Sequence, residues 1–411
     1  MAQSSSSSAP PPPQGLAPKP GDTTVSSEWL EFILRKKGLL TDENLHVVSV
    51  EMNELSDNRG LAAIMHRLSV VYSNQSSLPK TFMLKTSPNS EDAKAQSNAR
   101  GQYREGLFYD SDLLNQLEFV SKNVLYGYGC EETGEYVLLM KDLKTSDQVI
   151  GVNFVFGNQV WGMPEMKVTL PDPVSVLEQM YLTCARLNAK FWKDSNLWSQ
   201  DHGFLKASGF YKGENRDVWE QGMTNGRNAW NVAKERNAQS EYFKFSEKLV
   251  GIIDRSYELA SWENMQKAIH EEPFALCHGD FHASNMFVNV ETLELSLFDW
   301  SEVGIWNPVT DLAQTLISDV NPDIVAKHSK RLLRVYYDEL IRCGADLTDF
   351  SFEDCWNCFC KNGPERWIWL FSVLASLSFI PEKAVKYWHD HLLSFIESHG
   401  DYPFYNLKSI C

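Results

Sequence analysis

What this chain lacks narrows its function first. Its 411 residues carry a formal net charge of −16, with 38 lysines and arginines against 54 aspartates and glutamates. Without a basic excess to neutralise a phosphate backbone, a nucleic-acid partner reached through basic patches is excluded. No apolar run reaches the roughly 20 residues that a membrane-spanning helix needs. The longest, Trp367 to Ile380 (WIWLFSVLASLSFI), reads as a buried helix ended by Pro381. The first residues, MAQSSSSSAPPPPQGLAPKPGDTT, hold no apolar secretory segment, so the expected compartment is cytoplasmic, with reduced thiols. The eight cysteines stand singly except in CWNCFC, at Cys355, Cys358 and Cys360. The second Cys or His pair that would complete a zinc site is missing nearby, and these three read as thiols on a helix. No internal repeat is visible.

The chain is long enough for two domains with a sizeable core. Residues 1–27 are Ser/Pro-rich and are expected to form a disordered tail. A helix starts in SSEWLEFILRKKG, with Ser26 or Ser27 as N-cap and Gly38 as the stop. GLAAIMHRLSVVY (Gly60–Tyr72) and KTFMLKTS (Lys80–Ser87) flank a turn-rich stretch and read as an antiparallel hairpin. QYREGLFYDSDLLNQL reads as helix, and EYVLLMKDL (Glu135–Leu143) as a further strand. After about residue 144 the pattern turns helical. Leu177, Met180, Cys184, Leu187 and Phe191 recur at helical spacing, as do Leu249, Ile252, Ile253, Tyr257 and Ala260. GVNFVFGNQVWGMPE, starting at Gly151, reads as an irregular insertion or hairpin. The expected fold class is α+β, with a strand-rich part over 28–143 and a helical part over 144–411.

One apolar run is broken by an unusual set of polar groups: FALCHGDFHASNMFVN, Phe274 to Asn289. A second short run, LSLFDWSE (Leu295–Glu302), follows after the turn NVETLE. Asp280, Asn285 and Asp299 are expected to converge at the mouth of one small sheet. Two carboxylates and an amide oxygen suit a hard cation such as Mg²⁺, which keeps waters and takes further ligands from phosphates. A carboxylate free of the metal could accept a hydroxyl proton. The plainer alternative is a turn whose polar groups satisfy one another.

HGDFHASN, then FDW, then DLA resembles the catalytic segment of the aminoglycoside phosphotransferase and choline-kinase-like superfamily, whose pattern is H-G-D-x-x-x-x-N followed by D-[FW]. Upstream, FMLKTSP resembles that superfamily's lysine strand and YREGLFY the helix whose Glu meets the lysine. ARLNAKFW and NRGLAAIMHRLSVVY are similar to segments of its ecdysteroid-kinase-like branch. The resemblance runs over about 28–395. It implies a bilobal protein-kinase-like fold that transfers the γ-phosphoryl group of ATP, with Mg²⁺, to a hydroxyl of a small molecule such as a steroid, a choline-like amine or an aminoglycoside.

On that resemblance Asp280 is the catalytic carboxylate, and Asn285 and Asp299 hold the metal. Lys85 meets the α- and β-phosphates and pairs with Glu105, with Glu118 as the fallback partner. Gly60 belongs to the nucleotide loop, and Met140 and Leu143 lie in the segment whose backbone meets the adenine. His278 shapes the loop, His282 approaches substrate or phosphate, and Asp311 caps a helix and braces the loop. Two departures stand out. The nucleotide loop LSDNRGLAAIM holds one glycine, so fewer N–H groups can crowd the phosphates. Asn188 replaces the His of the branch's L-H-A and reads as packing between helices. Thirteen tryptophans, among them Trp219, Trp230, Trp306, Trp367 and Trp369, suit either a core or an apolar or cationic ligand. The alternative function is a catalytically weak pseudokinase or scaffold on the same fold. The absence of H-R-D, D-F-G and A-P-E elements argues against a protein kinase.

Overall fold

The computed structural model describes residues 17–55, 63–144, 146–400, 405 and 407. The chain divides into two compact units, Met1–Thr145 and Ser146–Cys411. The class is α+β: an antiparallel sheet dominates the first unit and helices dominate the second.

In the first unit five strands, β1 (Val47–Glu54), β2 (Ile64–Tyr72), β3 (Thr81–Thr86), β4 (Val124–Gly129) and β5 (Tyr136–Lys141), pair in the order β1-β2-β3-β5-β4. All pairs are antiparallel, and the β2–β3 pair sets Leu68 opposite Phe82 and Met65 opposite Lys85. Period-2 alternation sends Phe82 and Leu84 into the core and puts Lys85 on the other face. The helix Ser27–Lys36 covers that core with Trp29, Leu30, Ile33 and Leu34. Each such side chain contributes about 1.5–3 kcal/mol by leaving water. Ser26 is the N-cap, its Oγ accepting from the Trp29 N–H at 3.2 Å. Residues 1–16 of the expected tail lie outside the described residues. Within 17–27 the chain is not free: Ala17 packs on the core and Val25 is buried, because each offers apolar surface to the helix and sheet.

The second unit is built from long capped helices. Pro173–Lys190, for example, starts with Asp172 accepting from the Ser175 N–H and with proline at its first position. Val309–Asp319 is buried from Val309 to Ile317 and packs against Phe352–Asn362, Glu365–Ser376 and Glu382–Ser398. Two small antiparallel sheets adjoin the helices, not the single sheet expected from sequence. One pairs Ala275–Cys277 with Gly304–Trp306; the other orders Val149–Gly151, Met286–Asn289 and Leu295–Leu297. The segment after Gly151 is a one-turn helix, Val152–Val155, and then a tight turn, so it is no hairpin. The three cysteines of CWNCFC lie on the helix Phe352–Asn362. Among the described residues no group of three or more His, Cys, Asp or Glu could hold a metal ion, and no helix is long and apolar enough to cross a membrane.

Candidate active site

The loop between Cys277 and Met286 crosses from one small sheet to the other. Gly279 turns it, with φ +80°, and a Cβ there would stand 2.0 Å from the Glu302 carbonyl oxygen. Only glycine permits both the left-handed backbone and that approach. Asp311, in the first turn of Val309–Asp319, holds the loop from below. Its Oδ2 accepts from the His278 N–H at 2.8 Å and its Oδ1 from the Gly279 N–H at 3.1 Å. Asp311 therefore braces the loop but caps nothing, since the helix start carries no side-chain cap. Burial pushes its carboxyl up to about 7 against the pull of Arg366 and those two N–H donors. His278 is wholly buried. Its Nε2–H donates to the Phe298 carbonyl at 3.0 Å and its Nδ1 accepts from the Asp280 N–H at 3.3 Å. Both nitrogens are used by the neutral ring, and burial holds its pKa down at about 4.

Asp280 is half-buried and surrounded by donors. Oδ1 accepts from Gln314 Nε2 at 2.7 Å and from Arg366 Nη2 at 3.3 Å. Oδ2 accepts from Asn285 Nδ2 at 3.0 Å and faces His282 Nε2 at 3.4 Å. Burial works against its charge, yet His282, Arg366 and Gln314 overcome that and hold the carboxyl well below the usual carboxylate range. The same pairing, against burial, raises the His282 imidazole above its ordinary value. Arg366 also reaches Glu302, at 3.6 Å, and Glu302 meets Lys206 at 2.5 Å.

Asn285 and Asp299 offer oxygens of the kind a hard cation takes. The Asn285 Nδ2 donates twice, to the Asp280 carbonyl and carboxylate, both at 3.0 Å. That assigns the amide so that Oδ1, the atom a Mg²⁺ ion prefers, is the one left for a ligand. Asp299 adopts a left-handed backbone, φ +62°, and its Oδ1 accepts from Ser301 Oγ at 3.0 Å. Such a conformation in a non-glycine residue costs energy and collects at functional sites. The Phe298 N–H donates to the Asn285 carbonyl at 3.1 Å and Met286 pairs with Leu297, so the chain brings Asn285 and Asp299 to adjoining strand ends. The donor set fits: two protein oxygens, with the other positions left to water and phosphate.

In the first unit Lys85 Nζ lies 2.7 Å from Glu105 Oε2, both side chains buried. The helix Arg104–Asp110 that carries Glu105 presses on the sheet through Gly106, where a Cβ would stand 2.1 Å from the Tyr128 carbonyl oxygen. Glu118, the fallback partner, is exposed. Met140 is in β5 with its sulfur 4.0 Å from the Tyr109 hydroxyl, and Leu143 lies just past the strand. Gly60 lies outside the described residues.

Several contributors were missed. Asn188 does pack between helices, Pro173–Lys190 and Pro322–Arg342, and it also bonds: Nδ2 donates to the Leu276 carbonyl at 2.9 Å, and Oδ1 accepts from the Tyr336 hydroxyl at 3.0 Å. It ties the helix Pro173–Lys190 to the strand that feeds the loop between Cys277 and Met286. Gln314, Arg366 and Asp319 also went unread. A signal existed for two of them: Asp311, Gln314, Thr315 and Ser318 recur at i, i+3, i+4 and i+7 in a helix whose other residues, Thr310 and Asp319 apart, are apolar, and Asp319 adjoins that stripe. A cavity of about 170 Å³ opens over Asp280 and His282. Of the tryptophans singled out in the sequence only Trp367 lines it; Trp219, Trp230 and Trp306 are buried elsewhere, and the other two at the cavity are Trp161 and Trp388.

The ecdysteroid kinase-like family model matches residues 194–348, a span that holds His278, Asp280, Asn285, Asp299 and Asp311. The resemblance seen in HGDFHASN and FDW is met there. Similar solved structures include an ethanolamine kinase from Plasmodium vivax, 11% identical, covering 90% of this chain and 87% of that one with TM-score 0.42. A choline kinase from Streptococcus pneumoniae is 13% identical, over 91% and 99% of the two chains, with TM-score 0.41. An amicoumacin kinase in complex with AMP-PNP and Ca²⁺ is 11% identical, over 86% and 90%, with TM-score 0.46. No curated protein matches the chain.

Proposed function

We propose that this chain transfers the γ-phosphoryl group of ATP to a hydroxyl of a small molecule. The observation that supports this best is the Asp280 carboxylate: ionised, oriented by Gln314, Arg366, Asn285 and His282, and open to a cavity. A carboxylate held so far below its usual range is a weak base. Its work is to orient the acceptor hydroxyl and to take the proton late, as the new bond forms, which suits the loose transition state of phosphoryl transfer. Asn285 Oδ1 and the Asp299 carboxylate would hold Mg²⁺, and Mg²⁺-bound ATP would supply the phosphoryl group and neutralise its charge. On the resemblance, Lys85, fixed by Glu105, neutralises phosphate charge in the first unit.

The test is a screen of the purified full chain with Mg·ATP and pools of hydroxylated metabolites, reading products by mass. At least one pool is expected to yield a compound heavier by one phosphoryl group. Absence of any product, together with no Mg²⁺-dependent thermal shift by ATP, would sink the proposal.

A further inference from the structure

Trp161 is the least explained large side chain at the cavity. It lines the space over Asp280, yet 51% of its surface remains in water. A tight turn fixes it there. The Trp161 and Gly162 N–H groups donate to the Asn158 carbonyl at 3.1 and 2.8 Å, and Asn158 Nδ2 donates back to the Gly162 carbonyl at 2.6 Å. Gly157 (φ +85°) and Gly162 (φ +89°) bracket the turn in conformations that favour glycine. The indole is thus presented at the lip with its backbone already ordered, which lowers the entropic cost of closing on a ligand. The same cavity is lined by Trp367, Tyr387, Trp388, Leu370 and Leu374.

The carboxylates at the cavity already have hydrogen-bond partners. No lysine or arginine lines it, and its charged groups are Asp280, Asp319 and His282. Asp280 is held by the donors described above. Asp319 Oδ2 accepts from the Ala283 N–H at 3.0 Å and Ser318 Oγ at 2.5 Å, and burial pushes its carboxyl up against the pull of His282 and those donors. A cationic head finds both carboxylates engaged and Arg366 beside one of them. An anionic one meets two carboxylates.

We propose that Trp161 is the specificity-determining residue of the acceptor site, laying its indole on a flat, apolar, uncharged part of the acceptor. Only the acceptor's hydroxyl depends on the phosphoryl-transfer reading; the clamp itself does not.

Binding of two probes to the full chain without nucleotide, measured by calorimetry, tests this. The probes are naphthylethanol, flat and neutral, and choline, a cationic alcohol. Naphthylethanol is expected to bind saturably and more tightly than choline. Trp161→Ala is expected to weaken it about tenfold, the scale of one lost aromatic contact. Trp161→Phe, which keeps a ring, should stay within about threefold of the wild type. The half-exposed side chain makes both variants compatible with folding, checked by an unchanged thermal midpoint. Tighter binding of choline, no saturable binding of naphthylethanol, unchanged binding in Trp161→Ala, or an equal loss in Trp161→Phe would each overturn the assignment. The readout consumes no ATP. A chain that shows this binding pattern and never turns over would refute phosphoryl transfer and leave the clamp standing.

Discussion

Asp280→Asn is expected to lower kcat about a thousandfold, within the range that a positioned acid–base group supplies. The substitution keeps the size of the side chain but removes its charge and turns one acceptor into a donor. Gln314 and Arg366 donate to one oxygen of Asp280, and Asn285 and His282 face the other. Whichever way the new amide is turned, its NH₂ group meets a donor, and His282 loses the partner that raises its pKa. The acceptor hydroxyl then has no acceptor for its proton. Nucleotide affinity should change little, because the metal oxygens assigned to Asn285 and Asp299 remain. The measurements are single-turnover rates with the acceptor found by screening, ATP binding, and the thermal midpoint of both proteins. A variant that turns over within tenfold of the wild type would remove Asp280 from the chemistry. A wild type that binds Mg·ATP but phosphorylates nothing would favour the scaffold alternative.

What could be read from sequence was what is local or carried by a contiguous motif. Ser26 caps its helix through a contact three residues away, and the β2–β3 hairpin follows from alternation and a short turn. The pairing of Lys85 with Glu105 came from the resemblance, not from spacing, since a strand and a helix 20 residues apart can meet in many ways. Arg366 reaches Asp280 across 86 residues and Asn188 reaches Leu276 across 88. Nothing in either segment marks its partner, because such contacts are fixed by how helices pack and not by any local preference. That Asn188 packs between helices was legible, but which groups it bonds was not, for that reason. The polar stripe on Val309–Asp319 was legible in principle, as buried polar groups need partners. Which of thirteen tryptophans faces the cavity was not, because core and ligand-facing indoles share one composition.

The second large effect concerns acid. Neutral His278 donates to the Phe298 carbonyl and accepts from the Asp280 N–H, so a proton on Nδ1 breaks the second bond and places a charge in a fully buried site. Its folded pKa of about 4 lies below the ordinary 6.5. The unfolded chain therefore takes up this proton first as pH falls. The contribution of His278 to stability is fully present above pH 6.5 and is lost as pH drops through about 4. The loss amounts to about 2.5 kcal/mol already at pH 4.5. Asp311, raised to about 7, runs the other way across the same window, since its protonated form is the one that burial favours. The net slope of the wild type mixes these two with other buried groups, His391 (held down at about 4 by burial) and Asp319 (pushed up by burial) among them, and a comparison with His278→Gln isolates the part due to His278. Glutamine retains a donor for Phe298 and titrates nowhere, while the Asp311 contacts, made to backbone N–H groups, stay in place. In urea unfolding followed by tryptophan fluorescence, His278→Gln should be less stable than the wild type at pH 7.5. The gap should narrow by about 2.5 kcal/mol at pH 4.5. A gap that stays constant between the two values would mean that His278 is protonated equally in both states and that its neutral ring does not hold the loop between Cys277 and Met286.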